Sequence, residues 1–86
     1  MEIIRNPKIL VKEKTALLIV DIQERIIKVI DQNERVVENS VKLINGFNEL
    51  SIPIYITEQY PKGLGPTIPE ISELIQNFGP IEKMTF

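Results

Sequence analysis

The chain has 86 residues, of which 43% are hydrophobic and 26% charged, a composition typical of one globular domain rather than a disordered segment. Its 10 basic and 12 acidic residues give a formal net charge of −2, so there is no basic surplus to favour nucleic-acid binding. The sequence contains no cysteine and no histidine, which excludes a thiol nucleophile, a disulfide, a thiolate metal site and a Ser-His-Asp arrangement within these residues.

The N-terminal segment, residues 1–14, has no clear periodicity and carries charges throughout, so it lacks the apolar core of a secretory signal. We expect an irregular lead-in whose apolar side chains pack on the edge of the core: Ile3, Ile4, Ile9, Leu10 and Val11. No stretch of the sequence approaches the roughly 20 apolar residues that span a bilayer. We therefore predict a cytoplasmic protein with no membrane partner and no nucleic-acid partner.

An uninterrupted apolar run, Ala16–Val20, ends at Asp21. Such a run is typical of a strand covered on both faces of a parallel sheet. Because open parallel sheets bind ligands at the carboxyl ends of their strands, Asp21 is a candidate working residue. The alternative is that Asp21 only caps the helix that follows, and the pattern alone favours this structural role.

Two helices are predicted after this strand. Isoleucines at helical spacing indicate a short amphipathic helix over residues 22–30. Asp31 and Glu34 resemble a capping box and predict a longer helix from about Gln32 to Leu50. Gly46 lies inside that helix, and close packing against the sheet is the reason we expect for it. The apolar stripe of the long helix consists of Val36, Val37, Val41, Leu43, Ile44, Phe47 and Leu50.

Alternating isoleucines predict a second strand over residues 52–57, joined to the first by a right-handed crossover. Residues 58–66 are rich in proline and glycine, which predicts a loop at the same sheet edge as Asp21. Thr67 and Glu70 resemble a second capping box, which predicts a helix that ends at Gly79–Pro80. A third extended segment is predicted over residues 81–86.

This topology brings three charged residues, Asp21, Glu58 and Lys83, to one edge of the sheet. A carboxylate beside a lysine is a base with an electrostatic partner. On the pattern alone, the favoured interpretation of Lys83 is a solvated charge on a short strand, and that of Glu58 is a loop charge. The pair Gly63 and Gly65 lacks the Lys-Ser/Thr ending of a phosphate-binding loop, so no nucleotide cofactor is predicted.

Three segments of the sequence resemble motifs of the isochorismatase-like hydrolase superfamily. Residues 15–23, an apolar strand followed by Asp-x-Gln, resemble the opening signature of that family. Residues 57–67 are similar to a segment of its isochorismatase-domain-containing branch, and residues 82–86 resemble the segment that bears the family's catalytic lysine. The three motifs stand in the family's order and cover nearly the whole chain.

The resemblance implies a Rossmann-like, three-layer α/β/α fold with a parallel six-stranded sheet in the order 3-2-1-4-5-6. Residues 1–86 are expected to form the N-terminal half of that domain, with about the first three strands, as a fragment of a longer protein or as a truncated relative. Strand one is central in the family, so Ala16–Val20 is expected to present an exposed apolar edge. Such an edge pairs with another chain, which predicts a homo-oligomer or a separate C-terminal half.

Most members of the family have an Asp–Lys–Cys catalytic triad, and the resemblance implies the same triad for this domain. Asp21 is then the general base and Lys83 its electrostatic partner, while the cysteine, from the second half of the family domain, attacks an amide or related carbonyl carbon. Gln59 and Tyr60 are expected to bind the small-molecule substrate. The nicotinamidase branch has an Asp-x-His metal motif near this place, whereas Glu58-Gln59-Tyr60 has no histidine, so no metal and no cofactor are expected.

Two functions stay open at this point. One is a cysteine hydrolase that is active only when a C-terminal half is supplied. The other is a catalytically inactive relative that acts as an oligomerising or interaction module.

Overall fold

The computed structural model describes residues 10–84, which form a parallel three-stranded sheet in the order β1-β2-β3. The strands are β1 (Leu17–Val20), β2 (Ile54–Gln59) and β3 (Ile81–Lys83). The helices are α1 (Glu24–Ile27), α2 (Asn33–Glu49), α3 (Pro61–Leu64) and α4 (Pro69–Ser72), and a 3₁₀ turn over Lys12–Lys14 precedes β1. The predicted α/β class with a parallel sheet is confirmed.

The hydrophobic core lies between one face of the sheet and the helices α2 and α4. Ile19 of β1 stands opposite Ile56 of β2, and both side chains are buried against Ile44 of α2. Ile68 and Ile71, at the start of α4, complete the buried cluster. This face of the sheet is therefore covered, as alternation along β1 and β2 requires.

The opposite face of the sheet carries exposed apolar side chains. Leu18, Val20, Tyr55 and Ile81 are 52–58% exposed. Among the described residues, β1 is also an edge strand, because it is hydrogen-bonded only to β2. The predicted exposed edge at Ala16–Val20 is confirmed, whereas the prediction that this strand is covered on both faces is wrong for the described part of the chain.

Helix α2 differs in two details from the helix predicted over Gln32–Leu50. Its N-cap is Gln32, in a left-handed conformation and without a side-chain cap, so the predicted capping box does not form. Gly46 is exposed, and a Cβ built on it would meet no atom within 4 Å, so the predicted close packing against the sheet is wrong. A glycine in an exposed helix interior lowers helix stability by about 1 kcal/mol relative to alanine.

The C-terminus of α2 forms a Schellman motif. The backbone N–H of Ile52 donates to Phe47 O at 2.9 Å, and that of Ser51 donates to Asn48 O at 3.0 Å. Ser51 has φ of 58°, the left-handed conformation that glycine adopts without steric cost.

We expect Ser51→Gly to raise the free energy of unfolding by about 0.5–1 kcal/mol, because it removes this steric cost. Urea denaturation followed by circular dichroism measures the change. Ser40→Gly, the same substitution within the body of α2, is the control and should lower stability instead. Destabilisation by both substitutions would contradict the prediction.

The short elements differ from their predicted bounds because tertiary contacts override local pattern. The helix predicted over residues 22–30 is reduced to α1, and Val29 and Ile30 are exposed. The loop predicted over residues 58–66 instead contains the end of β2 and the one-turn helix α3, which begins at Pro61. The helix predicted to reach Gly79 ends as α4 at Ser72, followed by turns.

The N-terminal prediction is wrong where the structure describes it, because Leu10 and Val11 are exposed rather than packed on the core. Ile3, Ile4 and Ile9 lie outside the described residues, as do residues 85–86 of the third extended segment. Within residues 10–84, no helix has the length and apolar character that crossing a bilayer requires.

Candidate functional site

Asp21 and Lys83 form an ion pair at the carboxyl edge of the sheet. Lys83 Nζ donates to Asp21 Oδ2 at 2.7 Å, and the two side chains are 30% and 10% exposed, respectively. Asp21 follows β1 directly and Lys83 ends β3. The pair spans the end of β2, because the carboxyl ends of three adjacent parallel strands meet at the same edge.

Two side chains of β2 lie between the members of this pair and bind them. Thr57 Oγ1 donates to Asp21 Oδ1 at 2.9 Å, and Lys83 Nζ lies 3.4 Å from Gln59 Oε1. Thr57 and Gln59 are both buried. Thr57 was not singled out from the sequence, although its register opposite Val20, next to Asp21, is the signal that would have found it.

Asp21 adopts an uncommon backbone conformation, with φ of 55°. Such residues, when they are not glycine, concentrate at active sites and ligand clamps, where surrounding contacts hold them in place. The N-cap of α1 is Gln23, with no side-chain cap, so the alternative that Asp21 caps this helix is wrong. Its carboxylate is committed to Thr57 and Lys83 instead.

Gln23 joins the ends of β1 and β2 to the segment that follows β2. Its side chain is fully buried, and its Nε2 donates to Gln59 O at 3.0 Å and to Gly65 O at 2.7 Å. Its Oε1 accepts from the backbone N–H of Gln59 at 2.6 Å. All three bonds reach main-chain groups, so Gln23 is a positioning residue for Gln59. The sequence placed Gln23 in the Asp-x-Gln motif without assigning it this role.

Glu58 is not part of the Asp21–Lys83 cluster, although the sequence placed all three residues at one edge. Its buried Oε2 accepts from the backbone N–H of Thr67 at 2.7 Å and from Thr67 Oγ1 at 2.8 Å. The prediction of a loop charge is therefore wrong. These bonds also engage Thr67, so the predicted capping box with Glu70 does not form.

Tyr60 lies at the rim of the site and is 45% exposed. Its backbone has φ of 38°, and its N–H donates to Lys83 O at 2.8 Å. Gly63 lies so close to the Tyr60 ring that a Cβ on it would overlap ring atoms. Gln59 thus contacts the ion pair and Tyr60 borders it, while their binding of substrate stays a prediction.

The arrangement is suited to proton transfer. An ionised carboxylate has about four lone-pair positions, and Thr57 and Lys83 each occupy one on Asp21. The remaining positions can accept a proton from a nucleophile placed beside the site. No group of three or more acidic, histidine or cysteine side chains is positioned to hold a metal ion in the part of the chain that the structure describes.

The Isochorismatase domain family model matches residues 15–84. Over 57 residues the chain is 47% identical to Isochorismatase domain-containing protein 2 of Danio rerio, covering 66% of this chain and 29% of that protein. Isochorismatase family protein 1B of Dictyostelium discoideum is 43% identical over 68 residues, covering 79% of this chain and 33% of that protein. The solved structure of MAR1 ribonuclease from Caenorhabditis elegans aligns with a TM-score of 0.71 and 40% identity, covering 78% of this chain and 35% of that one. The chain thus spans about a third of the length of these relatives.

Proposed function

The chain belongs to the isochorismatase domain family, and from that premise we propose that it serves the hydrolysis of a small amide or a related carbonyl substrate. The observation that supports this proposal is the Asp21–Lys83 ion pair, with Nζ and Oδ2 2.7 Å apart at the carboxyl edge of the sheet. Asp21 is the general base, and Lys83 stabilises its charge and orients it.

The proposed reaction needs a cysteine from outside these 86 residues, since the chain has none. The thiol gives its proton to Asp21, and the thiolate attacks the carbonyl carbon to form an acyl-enzyme. The leaving amine takes the proton from Asp21. Asp21 then accepts a proton from the water that attacks the thioester and returns this proton to the departing thiolate, so the carboxylic acid and the thiol are released and Asp21 is again ionised. Gln59 and Tyr60 are the proposed substrate contacts of this chain.

The alternative function is that of an inactive relative that acts as an interaction or oligomerising module. The observation that favours it is the open edge of β1, together with the exposed Leu18, Val20 and Tyr55 on one sheet face. Both functions require a partner at β1, and they differ in whether that partner supplies a cysteine. Under the first, the partner is the C-terminal half, and under the second it is a second copy.

Amide hydrolysis by the 86-residue chain and by the complete reading frame that contains it tests the proposal. The chain alone should show no turnover above background, and a frame that continues into further β/α units with a cysteine should show turnover that Asp21→Asn abolishes. A stop codon after residue 86, with no such frame nearby, would contradict the proposed hydrolase function. Turnover by the chain alone that is lost on Asp21→Asn would show that the cysteine is not needed.

RNA should be tested as a substrate alongside amides, because the structural relative from Caenorhabditis elegans is a ribonuclease. For this chain we propose a small-molecule substrate and no nucleic-acid partner, since its formal net charge is −2. Cleavage of RNA that requires Asp21, without amide turnover, would contradict this choice.

A further inference from the structure

Helix α2 exposes an apolar stripe on the side that faces away from the core. Val36, Leu43 and Leu50 are spaced seven residues apart and are 37%, 49% and 50% exposed. Residues at this spacing lie along one line of a helix, as in the seam of a coiled coil. The stripe is separate from the exposed sheet face, because α2 packs on the other side of the sheet.

Gly46 lies on the same side of α2, in a shallow depression that it forms with Leu43, Phe47 and Leu50. No contact among the described residues accounts for a glycine here, since a Cβ would meet nothing within 4 Å. A glycine on an exposed helix face allows the backbone of a second helix to approach closely. The depression thus has the form of a hole for a side chain such as Leu43 of another copy.

A row of exposed charges flanks the stripe at the same seven-residue spacing. Arg35 and Lys42 are basic and Glu49, at the C-terminal end of the row, is acidic. When two copies of α2 lie antiparallel with their stripes in register, Glu49 of each copy lies alongside Arg35 of the other. The two Lys42 side chains meet at the centre, where each is paired with Glu38 of its own helix at 3.4 Å. In a parallel pair, each row faces Ser40 and Phe47 of the other copy instead, and this complementarity is lost.

We propose that α2 is a homodimer interface, in which the stripe of Val36, Leu43 and Leu50 packs antiparallel against the same stripe of a second copy. The contact is isologous, as in two-fold symmetric dimers. A single helix of 17 residues buries a small area, so we expect weak association, with Kd in the micromolar range or above.

Complementary charge reversal tests the proposal. Glu49→Lys makes the row entirely basic, and Arg35→Glu with Lys42→Glu makes it entirely acidic. Each variant alone should raise the Kd for self-association by roughly tenfold or more, because like charges then face each other across the contact. A 1:1 mixture of the two variants should form a heterodimer at least as strong as the wild-type dimer. Sedimentation velocity over a range of concentrations measures all three.

Glu13→Lys, an equal charge change on the exposed 3₁₀ turn, is the matched control and should leave the Kd unchanged. Circular dichroism verifies that each variant keeps its helix content. Self-association that survives both reversals would overturn the proposal and assign the contact to another surface, such as the sheet face. Monomeric wild-type protein at millimolar concentration, or reversed variants that do not combine, would also overturn it.

Discussion

Replacement of Gln23 by alanine is expected to lower the free energy of unfolding by about 3 kcal/mol, the largest loss of stability that we predict for a polar residue. The substitution removes three hydrogen bonds of 2.6–3.0 Å, so the Gln59 N–H, Gln59 O and Gly65 O groups lose the partner that Gln23 provides. A chain of this length has a total stability of about 4–13 kcal/mol, so the loss is a large fraction of it. Urea denaturation followed by circular dichroism, at one fixed protein concentration, measures the change.

Two further variants serve as comparisons: one tests the hydrogen bonds of Gln23 at nearly constant side-chain size, and the other is a control at an exposed glutamine. Gln23→Glu keeps the shape but places a carboxylate between carbonyl oxygens, so it should destabilise at least as strongly as alanine. Gln76→Ala, at an exposed glutamine in a turn, should change stability by no more than about 0.5 kcal/mol. A loss below about 1 kcal/mol for Gln23→Ala would mean that water replaces the amide, and would contradict its role as a positioning residue.

Asp21→Asn is expected to reduce amide turnover by about 10²- to 10⁴-fold in the complete reading frame, the usual contribution of a general base. The amide keeps the size of the side chain, and asparagine tolerates the φ of 55° that Asp21 adopts. The variant therefore removes the proton acceptor with little change of backbone. The measurement is kcat and KM on the amide that the unmodified frame hydrolyses best.

The same substitution at Asp31, an exposed aspartate in the turn before α2, is the matched control and should leave kcat unchanged. Thr57→Val removes only the hydrogen bond to Asp21 Oδ1, so its loss of turnover should be smaller than that of Asp21→Asn. An Asp21→Asn enzyme that retains more than about a tenth of the turnover would exclude Asp21 as the general base.

The sequence predicted those features of the fold that depend on periodicity and topology. The apolar run before Asp21 predicted a strand and the helical stripe around Ile44 predicted a long packed helix, and both elements are present. The meeting of Asp21 and Lys83 follows from parallel strands that end at a common edge. Family membership, shown by the match to residues 15–84, agrees with the resemblance of the three motifs.

Some predictions are wrong because residues distant in sequence compete with the local pattern, and others because the pattern does not show what lies beside a residue. Thr67 has the pattern of a capping residue, but Glu58 takes both of its donors nine residues away. Gly46 was expected to pack on the sheet because glycine in a helix suggests a close neighbour, and the structure places it on the outer face. The role of Gln23 depends on bonds to residues 36 and 42 positions later, which local pattern does not contain.

The hydrogen bond from the Gln59 backbone N–H to the Gln23 side chain allows local opening of the site to be measured by amide hydrogen exchange. This amide proton is held by a side chain rather than by a neighbouring strand, so exchange with deuterated solvent requires the Gln23 amide to release it. Its exchange rate therefore measures how often the Gln59 N–H is released from the Gln23 side chain. That opening frequency can be followed by NMR on the chain alone, before any substrate or partner is known.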